Sequence, residues 1–233
     1  MHLTVKSVHL DQRFVRLLGC FLTILTLLFA GCSGTGDGPE NLEYTDEPGM
    51  ETVAVLETSR GAITIGFLAE DAPEHVRNFI RLCGTGFYDG TMFHRVAPGY
   101  LIQGGDPLSR DDDPENDGTG GYSHNGPGTS LEPEFNGRHH SRGTVSMARS
   151  GSPDSAGSQF FIMLTADSEL DGKYTAFGEV REGMEVVEEI AQQPGNAVND
   201  VGGVMPRKPQ VIEQCRIENR PVQTSTAAGS DPQ

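Results

Sequence analysis

Apolar and polar residues alternate along two neighbouring segments of the chain. Residues 53–58 have the sequence VAVLET and residues 62–68 the sequence AITIGFL, so both are rich in β-branched and aliphatic side chains. Such alternation is typical of half-buried β-strands. Because only Ser59, Arg60 and Gly61 separate the two segments, the pattern predicts a β-hairpin with a short glycine turn.

A helical pattern follows the hairpin. Its apolar residues recur at helical spacing and form one face: Val76, Phe79, Ile80 and Cys83. We expect Asp71 to cap the amino terminus, Pro73 to fit the first turn and Glu74 to complete a pair resembling a capping box. The helix should end at Gly84-Thr85-Gly86.

The remaining pattern indicates a second helix and more short strands. The helix is predicted over residues 183–193, where apolar residues again share one side. Further strands are predicted at 98–103, 144–148, 159–164, 175–180 and 210–218. Two helices among about eight short strands favour a mainly β fold, closed into a barrel with helices at its ends.

Composition agrees with a turn-rich globular protein and narrows the possible partners. The 233 residues include 30 Gly and 14 Pro, with no Trp. Lys and Arg number 17 against 33 Asp and Glu, which gives a net charge of −16. An acidic surface repels phosphate backbones, so we expect no nucleic-acid partner.

The amino terminus has the pattern of a targeting segment. A basic region precedes an apolar run over residues 17–31 that is short for crossing a bilayer and suits a signal peptide. The run ends at Phe29-Ala30-Gly31-Cys32, which resembles a bacterial lipobox. We therefore predict a signal peptide at 1–31 and lipidation of Cys32, which would anchor the protein to a membrane of the cell envelope. A plain secretory signal and an uncleaved anchor are the alternatives.

This interpretation divides the chain and reduces the cysteines of the folded part to two. Residues 32–52 are predicted to be the lipidated cysteine and a flexible tether, 53–220 the folded domain and 221–233 a loose tail. Cys83 and Cys215 remain in the domain. In an exported protein they could form a disulfide, and they could equally be two buried thiols, so the sequence leaves both possibilities open.

Four segments carry a more specific signal than this outline. They are Phe93–Asp106 (FHRVAPGYLIQGGD), Gly143–Arg149 (GTVSMAR), Gly157–Ile162 (GSQFFI) and Leu170–Gly178 (LDGKYTAFG). In this order and spacing they resemble the cyclophilin family of peptidyl-prolyl cis–trans isomerases. The resemblance implies a closed eight-stranded antiparallel barrel capped by two α-helices, acting on X-Pro bonds of proline-containing polypeptides without a cofactor or metal.

The chemistry of this reaction explains why one arginine matters. Rotation about a peptide bond has a barrier of about 18–20 kcal/mol because the C–N bond is partly double. In the twisted state the prolyl nitrogen regains a lone pair, so a fixed donor beside it stabilises that state alone. Arginine is always protonated and presents a rigid fork of N–H groups. The resemblance places the catalytic arginine at Arg95.

The resemblance also assigns the substrate-binding residues. An apolar pocket for the proline ring would be formed by Tyr100, Leu101, Phe161, Leu170 and Tyr174. Gln103 would hold Arg95 or the substrate carbonyl, and His94 would lie at the rim. The backbone around Ala148 and Arg149 would pair with the substrate as an added strand. Because neighbours on a strand point to opposite faces, we expect Phe160 in the core and Phe161 in the pocket.

One departure from the family bears on ligands. Glu169 stands where eukaryotic members carry a Trp that is linked to tight cyclosporin binding, so we expect weak cyclosporin binding.

The leading hypothesis for the function is an isomerase that assists the folding of exported proteins. The alternative is a non-catalytic binding module or chaperone that holds proline-containing segments in the same groove.

Overall fold

The computed structural model describes Tyr44 and residues 47–197 and 203–222. This part of the chain is mainly β, with two α-helices. The strands are β1 (Met50–Thr58), β2 (Gly61–Phe67), β3 (Arg95–Ala97), β4 (Leu101–Gly104), β5 (Thr144–Met147), β6 (Phe160–Met163), β7 (Ala176–Glu182), β8 (Gly195–Ala197), β9 (Val204–Pro206) and β10 (Ile212–Pro221). The helices are α1 (Pro73–Gly84) and α2 (Met184–Ala191).

The predicted signal peptide and Cys32 lie outside the described residues, as do most of the predicted tether and tail. Among the described residues, neither helix is long and apolar enough to cross a bilayer.

The ten described strands form one antiparallel sheet, in the order β10-β1-β2-β7-β5-β6-β4-β3-β9-β8. The prediction of a closed eight-stranded barrel is therefore wrong. The β8–β9 hairpin pairs with β3 at Val96 and Val204, so the outer edge of β3 is already occupied. Between the segment before β3 and the start of β10 there is one isolated bridge, from Met92 to Val211, and it does not extend into a ladder.

The first hairpin forms as predicted, whereas the single strand predicted over 98–103 does not. Strands β1 and β2 pair from Val53 and Gly66 to Thr58 and Gly61. The single strand predicted over 98–103 is wrong, because a turn at 98–100 separates β3 from β4. In that turn Gly99 has a φ of 73°, a left-handed conformation that favours glycine.

Helix α1 buries the predicted apolar face and is capped by a different residue from the one predicted. Its N-cap is Ala72, and no side chain of the cap residue accepts a hydrogen bond. Instead the backbone N–H groups of Glu74 and His75 donate to the Glu134 carboxylate at 3.0 and 2.9 Å. Asp71 pairs with Arg138. A carboxylate distant in sequence therefore satisfies the donors that the sequence assigned to Asp71.

The core lies between α1, α2 and one face of the sheet. Phe79 of α1 is its aromatic centre: its ring centroid lies 4.7 Å from that of Tyr88, 5.4 Å from that of Phe160 and 5.3 Å from that of Phe177. Cys83 and Cys215 form a disulfide that joins α1 to β10 across 132 residues of sequence, and both are buried. Of the two possibilities for these cysteines, the structure has the disulfide.

We expect the double substitution Cys83→Ala/Cys215→Ala to lower the free energy of unfolding by about 2–4 kcal/mol, because a crosslink over a long loop restricts the unfolded chain. Urea unfolding followed by circular dichroism measures this. Reductant should bring the native protein to the stability of the variant and leave the variant unchanged. Equal unfolding midpoints for the oxidised native protein and the variant would contradict the prediction.

Candidate active site

A groove of about 940 Å³ runs along the face of the sheet opposite the main core. All ten sequence-predicted site residues of the domain lie in its walls: His94, Arg95, Tyr100, Leu101, Gln103, Ala148, Arg149, Phe161, Leu170 and Tyr174. The structure therefore brings together residues from segments spread over 81 positions of the chain, from 94 to 174. Their roles in binding and catalysis remain predictions.

Arg95 is held by a chain of hydrogen bonds. It lies on β3 directly opposite Gln103 of β4, and its Nη1 donates to Gln103 Oε1 at 2.9 Å. Gln103 Nε2 donates in turn to Gln159 Oε1 at 2.9 Å. Burial lowers the pKa of Arg95, but an arginine remains protonated in proteins. The guanidinium is therefore a fixed cation at the groove wall.

Gln159 continues this chain to the loop on the far side. Its Nε2 donates to the carbonyl oxygens of Gly118 and Gly120 at 3.0 and 2.6 Å. Gln159 is not among the site residues predicted from the sequence, although the strand pattern contains a signal for it. Residues 159 and 161 lie on the same face of an extended segment, so the assignment of Phe161 to the pocket also placed Gln159 there.

A small apolar cluster forms the floor beside Arg95 and is separate from the main core. Ala97, Leu101, Phe161 and Met163 are its buried members, and Tyr100, Ala148, Leu170 and Tyr174 pack against them. Phe160 belongs to the main core. The expectation that Phe160 and Phe161 face opposite sides of the sheet is confirmed.

Two tyrosines border this floor, each with a fixed orientation. The Tyr100 hydroxyl donates to Asp167 Oδ2 at 2.7 Å. Burial, followed by this bond, raises the pKa of Tyr100 to about 12, so the phenol is neutral at physiological pH. The Tyr174 ring meets Phe161 edge-on, at 5.6 Å between centroids. The Arg149 guanidinium lies 4.6 Å from the centre of the Tyr174 ring, a cation–π contact.

The backbone of Lys173 keeps the Arg149 side chain in place. Arg149 Nε and Nη2 both donate to the Lys173 carbonyl oxygen, at 3.1 and 3.0 Å. At this position only the backbone was predicted to contact the substrate. The structure adds that the side chain covers one face of Tyr174 and thereby fixes that wall of the groove.

His94 differs from its prediction as a rim residue. It lines the groove, yet only 3% of its surface is exposed, because the loop at Gly118 packs over it. Burial lowers the pKa of His94, so the ring is neutral near pH 7. His94 Nδ1 has no hydrogen-bond partner. A buried neutral ring supports the wall rather than meeting solvent.

Within the described residues, no three metal-ligating side chains converge at one point. The groove instead offers a fixed cation, an apolar floor and neutral aromatic walls. An apolar floor suits a proline ring, and a fixed donor suits a group that becomes basic on twisting. Fold and groove together thus have the features that the resemblance to prolyl isomerases predicts.

Comparison with known proteins identifies the family. The family model of the cyclophilin type peptidyl-prolyl cis-trans isomerase/CLD matches residues 53–217. A peptidyl-prolyl cis-trans isomerase of Synechococcus elongatus is 44% identical over 131 residues, which cover 56% of this chain and 81% of that protein. The chain belongs to the cyclophilin-type peptidyl-prolyl cis-trans isomerase family.

Two other relatives are much longer than the region they share with this chain. The peptidyl-prolyl cis-trans isomerase CYP57 of Arabidopsis thaliana is 42% identical over 137 residues, 59% of this chain and 26% of that protein. The spliceosome-associated protein CWC27 homolog of Danio rerio is 42% identical over 139 residues, 59% of this chain and 27% of that protein.

A solved structure has the same fold. The crystal structure of a Cryptosporidium parvum cyclophilin type peptidyl-prolyl cis-trans isomerase superposes with a TM-score of 0.64 at 28% identity. The superposed region covers 74% of this chain and 99% of the Cryptosporidium parvum chain. The assignment to this family is therefore supported by both sequence and structure.

The groove wall also contains Asp117, whose pKa is raised to about 6 by burial and then by Asp106, Asp111 and Asp113. We expect Asp117→Asn to raise the thermal unfolding temperature at pH 7, because the native protein there holds an unfavourable charge. The carboxyl of the unfolded chain titrates near its ordinary value of 3.8. The difference between the native protein and the variant should therefore shrink as the pH falls from 7 to 4.

Thermal unfolding at several pH values checks this prediction, and Asp112→Asn is the control. Asp112 is an exposed carboxylate of the same loop. Its removal should not reproduce the pH-dependent gain. A gain from Asp117→Asn that is equal at pH 7 and pH 4 would show that removal of the charge is not its cause.

Proposed function

We propose that the protein catalyses cis–trans isomerisation of X-Pro bonds. One observation carries the proposal: a guanidinium, fixed by Gln103, lies on the sheet two strands from the floor residue Phe161. A proline ring bound over that floor would turn its amide nitrogen towards Arg95. The donor would then stabilise the twisted amide and neither planar form.

The expected magnitude agrees with this role. A hydrogen bond to a charged group is worth about 1.5–3 kcal/mol net. At about 1.36 kcal/mol for each factor of ten, that is roughly a 10- to 100-fold acceleration. The apolar floor would supply further stabilisation by gripping the ring while the preceding carbonyl rotates. No bond breaks in the reaction, so these residues suffice.

The proposed substrates are proline-containing polypeptides. The Cryptosporidium parvum isomerase has also been crystallised in the presence of the dipeptide Ala-Pro, and that structure superposes with a TM-score of 0.62 at 28% identity.

We also propose weak cyclosporin binding, because Glu169 is an exposed charged residue where eukaryotic members carry Trp.

We further propose that the protein is a lipoprotein of the cell envelope that assists the folding of exported proteins. The apolar run before Cys32 and the small residues beside it support this. The Cys83–Cys215 disulfide is an independent support, because disulfides persist mainly in oxidising compartments outside the cytosol. A tethered isomerase would meet its substrates as they emerge unfolded from export.

We expect Arg95→Ala to lower kcat/KM for a proline-containing peptide at least about tenfold, because the donor to the prolyl nitrogen is lost. A protease-coupled assay on the purified protein measures the rate, and circular dichroism verifies the fold. The matched control is Arg142→Ala, which removes an exposed arginine that pairs with Glu188. The control should keep the native rate.

Two outcomes would contradict the catalytic role. If the native protein binds proline peptides without changing their isomerisation rate, the non-catalytic binding module is correct instead. If Arg95→Ala has the native rate, Arg95 does not stabilise the twisted amide.

We expect Cys32→Ser to move the protein from the membrane fraction to the soluble fraction in a bacterial host, because lipidation requires the thiol. Cys20→Ser is the matched control, since it changes a cysteine inside the predicted signal peptide and leaves the modified position intact. Membrane association of Cys32→Ser at the native level would show that the lipid anchor is absent.

A further inference from the structure

Behind the pocket lies a buried histidine that no part of the proposed mechanism uses. Only 2% of the surface of His140 is exposed. Its Nδ1 lies 3.0 Å from Asp171 Oδ1, and its Nε2 lies 3.0 Å from the Ser146 hydroxyl. Its contacts show a connected polar group under the groove floor.

The three residues are connected like a hydrolase triad, but a substrate cannot reach the serine hydroxyl. A serine, a histidine and a carboxylate are joined in that order, as in serine hydrolases. Ser146, however, has no exposed surface. An acyl group could not reach its hydroxyl, so nucleophilic catalysis is excluded. Any role of Ser146, His140 and Asp171 must therefore come from the neighbouring residues that they hold in place.

What they hold is the floor of the pocket. Ser146 of β5 lies directly opposite Phe161 of β6, and directly opposite residues share one face of the sheet. The His140 ring lies nearly parallel to the Phe161 ring, at 20° and 6.1 Å between centroids. The hydrogen bonds to Ser146 and Asp171 fix the plane of the imidazole, and the imidazole then limits the orientations open to Phe161.

The backbone of the same histidine also holds the 167–171 segment, which borders the floor. Its backbone N–H donates to Asp171 Oδ1 at 2.8 Å, and its carbonyl oxygen accepts from the Asp167 N–H at 2.9 Å. Asp167 is the acceptor of the Tyr100 hydroxyl, and Asp171 follows the floor residue Leu170 directly. His140 therefore links Phe161, Tyr100 and Leu170, which come from three different parts of the groove.

The carboxylate at the centre of these contacts is ionised. Hydrogen bonds from His139, from the His140 backbone and from the His140 ring hold the pKa of Asp171 well below its ordinary value. The Asp171 carboxylate holds the ring of His140 at Nδ1, and the Ser146 hydroxyl holds it at Nε2. Contacts at both nitrogens define one ring orientation.

We propose that His140 is a positioning residue that orients Phe161 and the 167–171 segment so that the pocket is preformed for proline. This inference rests on the proposed isomerase function for its effect on rate, and on the structure alone for its effect on Phe161. Preformed geometry matters because a misplaced floor would grip the planar and twisted amides more equally.

The test compares His140→Asn with the matched control His139→Asn. Both histidines contact Asp171, but the His139 side chain is 83% exposed, whereas the His140 ring is buried beside Phe161. Asn at position 140 can still donate to Asp171, while it loses the ring on Phe161 and the bond to Ser146. We expect kcat/KM to fall about tenfold for His140→Asn and to change less than about twofold for His139→Asn.

Nuclear magnetic resonance of ring-labelled phenylalanine separates positioning from a general loss of stability. In His140→Asn the ring signals of Phe161 should broaden or split, while those of Phe160, its neighbour in the main core, should keep their native positions. A general loss of structure would move both. Ser146→Ala, which removes one hydroxyl, should also perturb Phe161 selectively, and it decides the question if His140→Asn does not fold.

Native Phe161 signals in the folded variants, or a native rate in His140→Asn, would overturn the proposal. The spectroscopic result does not need an active enzyme. If the native protein has no isomerase activity but Phe161 moves selectively, the proposed function fails and the positioning role stands.

Discussion

One row of cross-strand neighbours supports the whole groove. Arg95 of β3, Gln103 of β4, Phe161 of β6 and Ser146 of β5 lie directly opposite one another in turn. Opposite residues in antiparallel strands share one face, and adjacent strands are about 4.8 Å apart. The cation, its polar partner, the apolar floor and the group under the floor are therefore spaced by the sheet itself. A slip of one residue in any of these strands would turn its member of the row into the core.

The row also explains why the core and the groove depend on each other. Phe160 packs against Phe79 and Phe93 in the main core, while Phe161 lies in the groove. The core side of β6 therefore determines the position of the groove side, and the strand cannot shift without loss of aromatic contacts. The Cys83–Cys215 disulfide adds a covalent link between α1, which carries Phe79, and the edge strand β10.

Much of this arrangement could be predicted from the sequence, and the failures share a cause. Local patterns located the first hairpin, both helices and the buried face of α1. The resemblance placed Phe161 in the pocket, and alternation along the strand then placed Phe160 in the core. The errors arose where a partner distant in sequence decides the outcome: Glu134 caps α1 in place of Asp71, and the β8–β9 hairpin occupies the edge of β3 where closure of a barrel was expected. The resemblance placed His94 at the rim, and the sequence did not show that the loop at Gly118 would pack over it. The contacts of His140 with Ser146 and Asp171 likewise form only in the folded chain.

The groups described beside Arg95 do not change their charge near neutral pH, and this property bears on the kind of reaction that the groove can support. Tyr100 has a pKa of about 12, burial lowers the pKa of His94, and arginine remains protonated. Around neutral pH the charges that face a bound prolyl amide are therefore constant. An enzyme that moved protons would need a group poised to change its charge, whereas rotation about a C–N bond needs a constant field and a rigid floor. The exception is Asp117, which lines the groove on the loop beyond Gln159 and whose pKa is about 6. The carboxyl group whose charge varies near neutral pH therefore lies on a different segment from Arg95 and the floor residues, which would contact the twisted amide.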